Sequence, residues 1–488
     1  MTRTPRSLAG QGFAHNAGAA FGLQIVSVVV TGALTLALIR LLGPLDFGRY
    51  AITLAIGGIV LMPIDAGLTG STGRYVAQET KRARVAQMLA SGLVLKLVAG
   101  LIAAVALIVA APFIARAYGD AQLAWPIRLL AGVVFGQSLL GFVIGSFNAV
   151  RIASRGLVVG ALESVAEAAI ALGLVLGGAG VVGALVGRLA AFLAAALVGL
   201  VLLDRRFRLR RRVARPTRST IRLVGRYAVT LAFVDAAWTL FVQIDVLLIA
   251  AFLDSRHAGF FQAPARVLTL VSYPALAVAT AIGPRITIDS SATSLARFRG
   301  SLQLLLAFQL LCAVIVVTAG ASIVQLVAGA NYADAPLVTR ALAPWVLLSG
   351  VAPVASKALD YLGAGRERLP FAVAAALVNT LIDIALIPTI GIVGAAIGTD
   401  VGIAVFVGGT LLVCRRRFGY TFGHFFTDIR PFVLPAAFVA AGLTAVDIAT
   451  DAAALLALAV VLATILYVAF VVRMPAFRGL VRSLADRS

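Results

Sequence analysis

The feature that most constrains this chain is a succession of apolar runs, each about 20 residues or longer, separated by short polar connections. Runs of that length match the thickness of a bilayer's hydrocarbon core when coiled as helices. They lack the alternation of barrel strands, so the backbone must satisfy its own hydrogen bonds as helices. Of the 488 residues 61% are hydrophobic and 12% charged, and the mean hydropathy is +1.03. A soluble domain carries roughly 25% charged residues, and a globule this apolar could not cover its own surface. The expected fold is an all-α polytopic membrane protein of about 14 transmembrane spans. The apolar stretch behind the short basic N-terminus is read as the first span rather than a signal peptide.

The net charge of +21 could suggest a nucleic-acid partner, but its distribution argues for orientation in a membrane. Cations gather in alternate connections: Lys81, Arg82 and Arg84; Arg151 and Arg155; the stretch Asp204–Arg226; Arg297 and Arg299; Arg366 and Arg368; Arg415 to Arg417; and the C-terminal tail. The other connections are tiny, and Arg256 is the sole arginine or lysine within them. This alternation places the basic connections and both termini in the cytoplasm, with the bacterial inner membrane as the expected location.

Sliding the sequence on itself by 211 positions brings Leu42 onto Leu253, Gly48 onto Gly259, Tyr50 onto Phe261, Pro63 onto Pro274 and Arg74 onto Arg285. Six spans per repeat make the halves parallel, related by an axis along the membrane normal. The expected organisation is an N-lobe over 1–203 (spans one to six), a basic linker over 204–226, a C-lobe over 227–414 (spans seven to twelve), and two appended spans with a basic tail over 415–488. The linker serves as an orientation signal and could also meet anionic lipid.

No phosphate-binding loop of the G-x-x-x-x-G-K-[ST] type and no Asp-x-Asp pair occurs. His15, His257 and His424 are scattered without metal-ligand spacing, and Cys312 and Cys414 form no disulfide framework. No cofactor or metal is expected. The outer connections are too short for a catalytic domain, which disfavours an enzyme.

Charges inside the spans carry the functional information, because each costs about 2.5–3.5 kcal/mol on insertion scales. They include Asp65, Arg74, Lys96, Arg128, Glu163, Glu167 and Arg188 in the first half. The second half has Asp235, Asp245, Arg266, Arg340, Lys357, Asp360, Asp383 and Asp400. Glu163 and Glu167 share a helix face and are candidates for ion coupling, as is Asp245. Lys357 and Asp360 are spaced to neutralise each other. Arg266 lies about 10 Å inside the eighth span with no acid near it in sequence. It is the leading candidate to grip an anion such as a pyrophosphate.

The segment Ile39-Arg-Leu-Leu-Gly-Pro-Leu-Asp-Phe-Gly-Arg-Tyr-Ala51 resembles the turn between the first two helices of bacterial polysaccharide flippases, the O-antigen and exopolysaccharide transporters. Asp65-Ala-Gly-Leu with Arg74-Tyr-Val-Ala77, and Asp245 with Gly259-Phe-Phe-Gln-Ala-Pro-Ala-Arg266, resemble further motifs of that family, with Phe261 where a tyrosine is usual. The resemblance covers about residues 10–415. The superfamily also contains drug and toxin exporters and the lipid II flippase. It implies flipping of an undecaprenyl-pyrophosphate-linked oligosaccharide by alternating access, for polysaccharide or lipopolysaccharide synthesis. It also implies substrate-handling charges at Arg266, Arg74, Arg285, Asp65 and Asp245. The partners implied are that lipid-linked substrate, membrane lipids and other polysaccharide-assembly proteins, with a monomer as the default state. A cation-coupled drug exporter and a polyprenyl-linked glycan polymerase or ligase are the competing readings.

Overall fold

The computed structural model describes residues 8–209, 216–273, 275, 278–279, 291–449 and 453–473. Every regular element among them is helical. The first, α1 (Leu8–Gln78), is broken at Gly43, whose φ of 70° and ψ of 174° leave the helical region. Pro44 follows, with no N–H to lose and a φ suited to restarting a helix. The apolar stretch Val26–Gln78 counts 53 residues. Unbroken it would run about 80 Å, far beyond a hydrocarbon core of about 30 Å, so the two arms are separate spans.

Next come α2 (Arg82–Ala117), α3 (Ala124–Ala149), α4 (Ala153–Leu174) and α5 (Gly180–Phe207). They are followed by α6 (Arg218–Phe252) and α7 (Ser255–Thr269). The later elements are α8 (Ser291–Thr318), α9 (Gly320–Ala328), α10 (Ala335–Ala341), α11 (Ala343–Ser349), α12 (Val351–Tyr361) and α13 (Leu369–Ile390). The chain closes with α14 (Ile392–Phe418), α15 (Phe422–Ala449) and α16 (Ala453–Arg473). Among the described residues, 8 helical stretches are long and apolar enough to cross a membrane. Two of these, Val26–Gln78 and Ala153–Phe207, contain internal breaks. A bent pair, Ala335–Ala341 with Ala343–Tyr361, and the shorter apolar helices Thr239–Phe252 and Leu458–Arg473 complete the set. The protein is an all-α, multi-pass membrane protein.

Two spans expected to be continuous are broken. The ninth, read over Ser301–Ala328, divides at Ala319 into α8 and α9. Gly320 there lets Thr339 of α10 approach so closely that a Cβ would lie 2.8 Å from its methyl group. The tenth, read over Leu337–Leu362, is three short helices with a 46° bend. Pro344 and Pro353 each remove a backbone donor near the breaks. The Asp400 carboxylate on α14 accepts the freed Trp345 N–H at 2.8 Å.

Exposed side chains mark the lipid-facing surface. On α2, Val98, Leu101, Ile102, Val105, Ile108, Val109 and Phe113 are all about half exposed or more, in steps of three and four. In water such a stripe would invite aggregation; in lipid it is solvated.

The chain divides into two compact units. The first comprises Met1–Gln243 with Asp254–Arg256, and the second Ile244–Leu253 with His257–Ser488. In unit 1 the second arm of α1 packs against α2 and α6 through Ile64, Leu68, Ala103 and Ala228. The turn at Gly43 is pinned by Arg49, which meets Asp46 at 3.1 Å, Asp120 at 2.7 Å and Gln122 at 2.5 Å. In unit 2 the appended helices α15 and α16 dock on α8 through Ala307, Leu311, Phe432, Ala436, Leu443 and Tyr467. The Tyr467 hydroxyl donates to the Ala307 carbonyl at 2.9 Å. Arg299 grips the fully buried Asp428 at 2.6 and 3.0 Å, and Gln303 adds a bond at 2.8 Å.

Candidate functional site

Both units bury charge between helices that pack closely on glycine. In unit 1, Lys96 of α2 is fully buried, with its ammonium 2.6 Å from Asp65 on α1 and 3.2 Å from Ser138 on α3. Thr69, one turn on, donates to the same Asp65 oxygen at 3.0 Å. Gly141 and Gly145 of α3 face this stripe: a Cβ at Gly141 would sit 2.6 Å from the Asp65 carboxylate, and one at Gly145 would overlap the Thr69 methyl. Asp65 remains 35% exposed, so one side of the pair is open while the lysine is sealed. Its carboxylate can therefore meet a solute without uncovering the cation.

The second cluster of unit 1 is Glu163 and Glu167 on α4 with Arg188 on α5. All three lie within the apolar stretch Ala153–Phe207. Both glutamates are more than nine-tenths buried. Arg188 donates to Glu167 at 2.7 Å and lies 4.9 Å from the Phe192 ring centroid. Ser164 donates to Glu163 at 3.3 Å. Tyr50 of α1 also bears electrostatically on Arg188. The shared face expected for the two glutamates is present, and the arginine that partners it was not paired with them in the sequence.

In unit 2, Asp245 of α6 receives Asn379 Nδ2 of α13 at 2.6 Å and Thr399 Oγ of α14 at 2.5 Å. Asp383, one turn beyond Asn379, is fully buried and faces Asp245, yet neither of its oxygens has a hydrogen-bond donor among the described residues. The Asn379 carbonyl oxygen is likewise unsatisfied. Two facing carboxylates with no donor between them repel unless a proton or cation is interposed. The donor set of two carboxylates, an amide oxygen and a hydroxyl suits a hard cation that prefers oxygen. Among the described residues no group of three or more His, Cys, Asp or Glu is placed to hold a metal. Gly398 makes the arrangement possible: a Cβ there would overlap the Asp383 carboxylate and lie 2.7 Å from Asn379.

The remaining candidates are dispersed. Arg266 is half-buried on α7. With its carbonyl turned toward the guanidinium, the Gln262 amide accepts from Arg266 Nε at 2.8 Å and Nη2 at 3.0 Å. Arg74 is exposed near the end of α1. Arg285 and the Asp235 side chain lie outside the described residues. Lys357 and Asp360 are 3.8 Å apart, with Arg368 closer to that aspartate at 2.9 Å. Arg128 sits over the Trp125 ring at 6.0 Å. Asn379 and Thr399 are site residues that a survey of charges misses. The four-residue step from Asn379 to Asp383 was their visible signal in the sequence.

Outside the membrane-spanning stretches, burial pushes the Asp120 carboxyl up, but hydrogen bonds from Arg49 and Ser255 and the arginine's charge outweigh it. The group is held below the usual aspartate range.

The fold is shared with known transporters. The lipid II flippase MurJ in an inward closed conformation superposes with a TM-score of 0.76 at 12% identity, covering 93% of this chain and 98% of that one. An inward-facing multidrug resistance MATE family transporter of the MOP superfamily gives 0.66 at 17% identity, covering 79% and 98%. A MOP superfamily transporter from Pyrococcus furiosus gives 0.55 at 16% identity, covering 82% and 93%. No curated protein is a significant match. Residues 15–288, more than half of the chain, match the family described as polysaccharide biosynthesis protein, and the chain belongs to that family.

Proposed function

We propose that this protein is a flippase for a polyprenyl-pyrophosphate-linked oligosaccharide, such as an O-antigen or exopolysaccharide unit. In this reading it acts from the cytoplasmic to the outer leaflet of the bacterial inner membrane by alternating access and is not an enzyme. The observation that carries the reading is membership of the polysaccharide biosynthesis family. A transporter fold like that of the lipid II flippase, over nearly the whole chain, supports it. The alternation of basic and cation-free connections supports cytoplasmic termini. Arg266, Arg74 and Arg285 are the proposed handles for the pyrophosphate. Asp65, half-open beside the sealed Lys96, is suited to hydrogen-bonding sugar hydroxyls. Asp245 and Asp383, short of a positive charge, are the proposed seat of the coupling proton or cation.

The test is to deplete the protein in cells, extract the undecaprenyl-linked oligosaccharides and determine which leaflet holds them, with an Arg266→Ala strain in parallel. Accumulation in the cytoplasmic leaflet, partly reproduced by Arg266→Ala, is the expected result. A normal distribution without a redundant flippase would overturn it. One observation favours a second reading, export of a cationic drug: the excess of buried acid in unit 2. Drug sensitivity of depleted cells with intact surface glycan would select that reading.

A further inference from the structure

The repeat extends into the helical hairpins α4–α5 and α13–α14, and there the two units differ in charge. Gly180 and Gly391, 211 positions apart, open α5 and α14 with nearly the same backbone: φ 51°, ψ −138° and φ 67°, ψ −148°. At the same offset, Gly183 matches Gly394 and Gly187 matches Gly398. A Cβ at Gly183 would lie 3.0 Å from Leu174, and one at Gly394 would lie 2.7 Å from the Cβ of Leu386. A Cβ at Gly187 would fall 2.6 Å from the Cα of Ala171, where its counterpart at Gly398 meets Asp383. On the preceding helix the offset is therefore 212. The extra residue of unit 2 precedes these contacts, and unit 1 has one more residue between Leu174 and Gly183. The π-helical turn Val175–Ala179 absorbs it.

This register sets Glu167 against Asn379, Ala171 against Asp383, Arg188 against Thr399, and the buried Leu34 against Asp245. The four positions carry no net formal charge in unit 1 and two negative charges in unit 2. Where unit 2 leaves Asp383 facing Asp245 with no donor to Asp383 among the described residues, unit 1 has neither of those acids, carries Glu167 at the Asn379 position and places a guanidinium 2.7 Å from it. A guanidinium does not deprotonate in a protein, and its tether prevents exchange.

We propose that Arg188 is a built-in counter-cation occupying unit 1's counterpart of the unit 2 carboxylate site. Exchangeable coupling cations then enter unit 2 alone, and Arg188 is a specificity-determining residue that fixes which unit takes them. The proposal rests on the reading of Asp245 and Asp383 as the coupling centre.

The test measures the thermal unfolding midpoint of purified protein in nanodiscs. Sodium, potassium and choline chloride are compared at equal ionic strength across a pH series. The titratable groups bearing on Arg188 are Glu163 and Glu167 on α4 and Tyr50 on α1. The wild type should rise in midpoint with the coupling cation or proton, and Asp383→Asn should lose that rise. In the Asp383→Asn background, Arg188→Thr should restore a cation- or proton-dependent rise by freeing the glutamates, while Arg188→Lys should not. Glu167→Gln in the otherwise wild-type chain should leave the rise intact, an arm that stands even if the Arg188→Thr protein fails to fold. A folded Asp383→Asn/Arg188→Thr protein no more responsive than Asp383→Asn alone would overturn the proposal. So would loss of the wild-type rise in Glu167→Gln. A wild type that responds to no cation and no change of pH would instead overturn the coupling role of unit 2, and the proposal with it.

Discussion

Asp65→Ala tests whether the Asp65–Lys96 pair is an energetic unit. The ammonium of Lys96 is fully buried, with Ser138 as its other neighbour at 3.2 Å. Removing the carboxylate leaves a buried cation held by one hydroxyl. Breaking a buried pair in this way costs about 3–5 kcal/mol. Asp65 is 35% exposed, so water already weakens the pair, and the lower figure of about 3 kcal/mol applies, roughly a hundredfold in the folding equilibrium. Removing both charges in Asp65→Ala/Lys96→Met leaves no orphan, and the double variant should lie within about 1 kcal/mol of wild type. Equilibrium unfolding in mixed micelles reads all three. A double variant as unstable as Asp65→Ala alone would refute the argument, because the loss would then come from Asp65's own contacts. The same double variant separates stability from transport: folded yet unable to flip substrate, it would place the Asp65–Lys96 pair in the transport path.

Other expectations follow from close contacts. Gly398→Ala should displace the Asp383 carboxylate, costing about 1–3 kcal/mol by overpacking, and should remove any cation-dependent stabilisation. Gly408→Ala, whose nearest neighbour would be Phe422 at 4.0 Å, should do neither. Asp428→Asn weakens charge-assisted bonds from Arg299 and should cost about 2 kcal/mol. Hydrogen exchange should quicken in α15 and α16 but not in α4 or α5. Because Asp120 titrates below its ordinary value in the folded protein, its stabilisation is present above about pH 4. It is lost as pH falls through the depressed folded value, and Asp120→Asn should flatten that acid limb in an unfolding series.

The spans were legible because hydropathy and the alternation of cations depend on local sequence. Breaks inside spans were less so. The division at Ala319 depends on how closely Thr339 packs on Gly320, and the bend after Ala341 is capped by Asp400, 55 positions away from Trp345. The site was legible in part for the same reason. Glu163 and Glu167 announce themselves by being one turn apart, but Arg188 lies 21 positions from Glu167, and pairing it needs the register of the hairpin. Asn379 and Thr399 carry no charge and meet Asp245 across 134 and 154 positions. Arg266 stood out for having no acid nearby, and the structure sets it against a neutral amide one turn earlier on the same helix. The glycine register at Gly180 and Gly391 was present in the sequence at the repeat's own offset; its meaning came from the hairpin contacts.

The most direct test of the central claim is reconstitution. The purified protein is placed in liposomes containing a polyprenyl-pyrophosphate-linked oligosaccharide, and the glycan exposed on each leaflet is titrated with a lectin under an imposed cation gradient. The account predicts protein-dependent movement of the glycan between leaflets that is lost in Asp383→Asn. Transfer no faster than in protein-free liposomes, from protein shown to be folded and inserted, would contradict it.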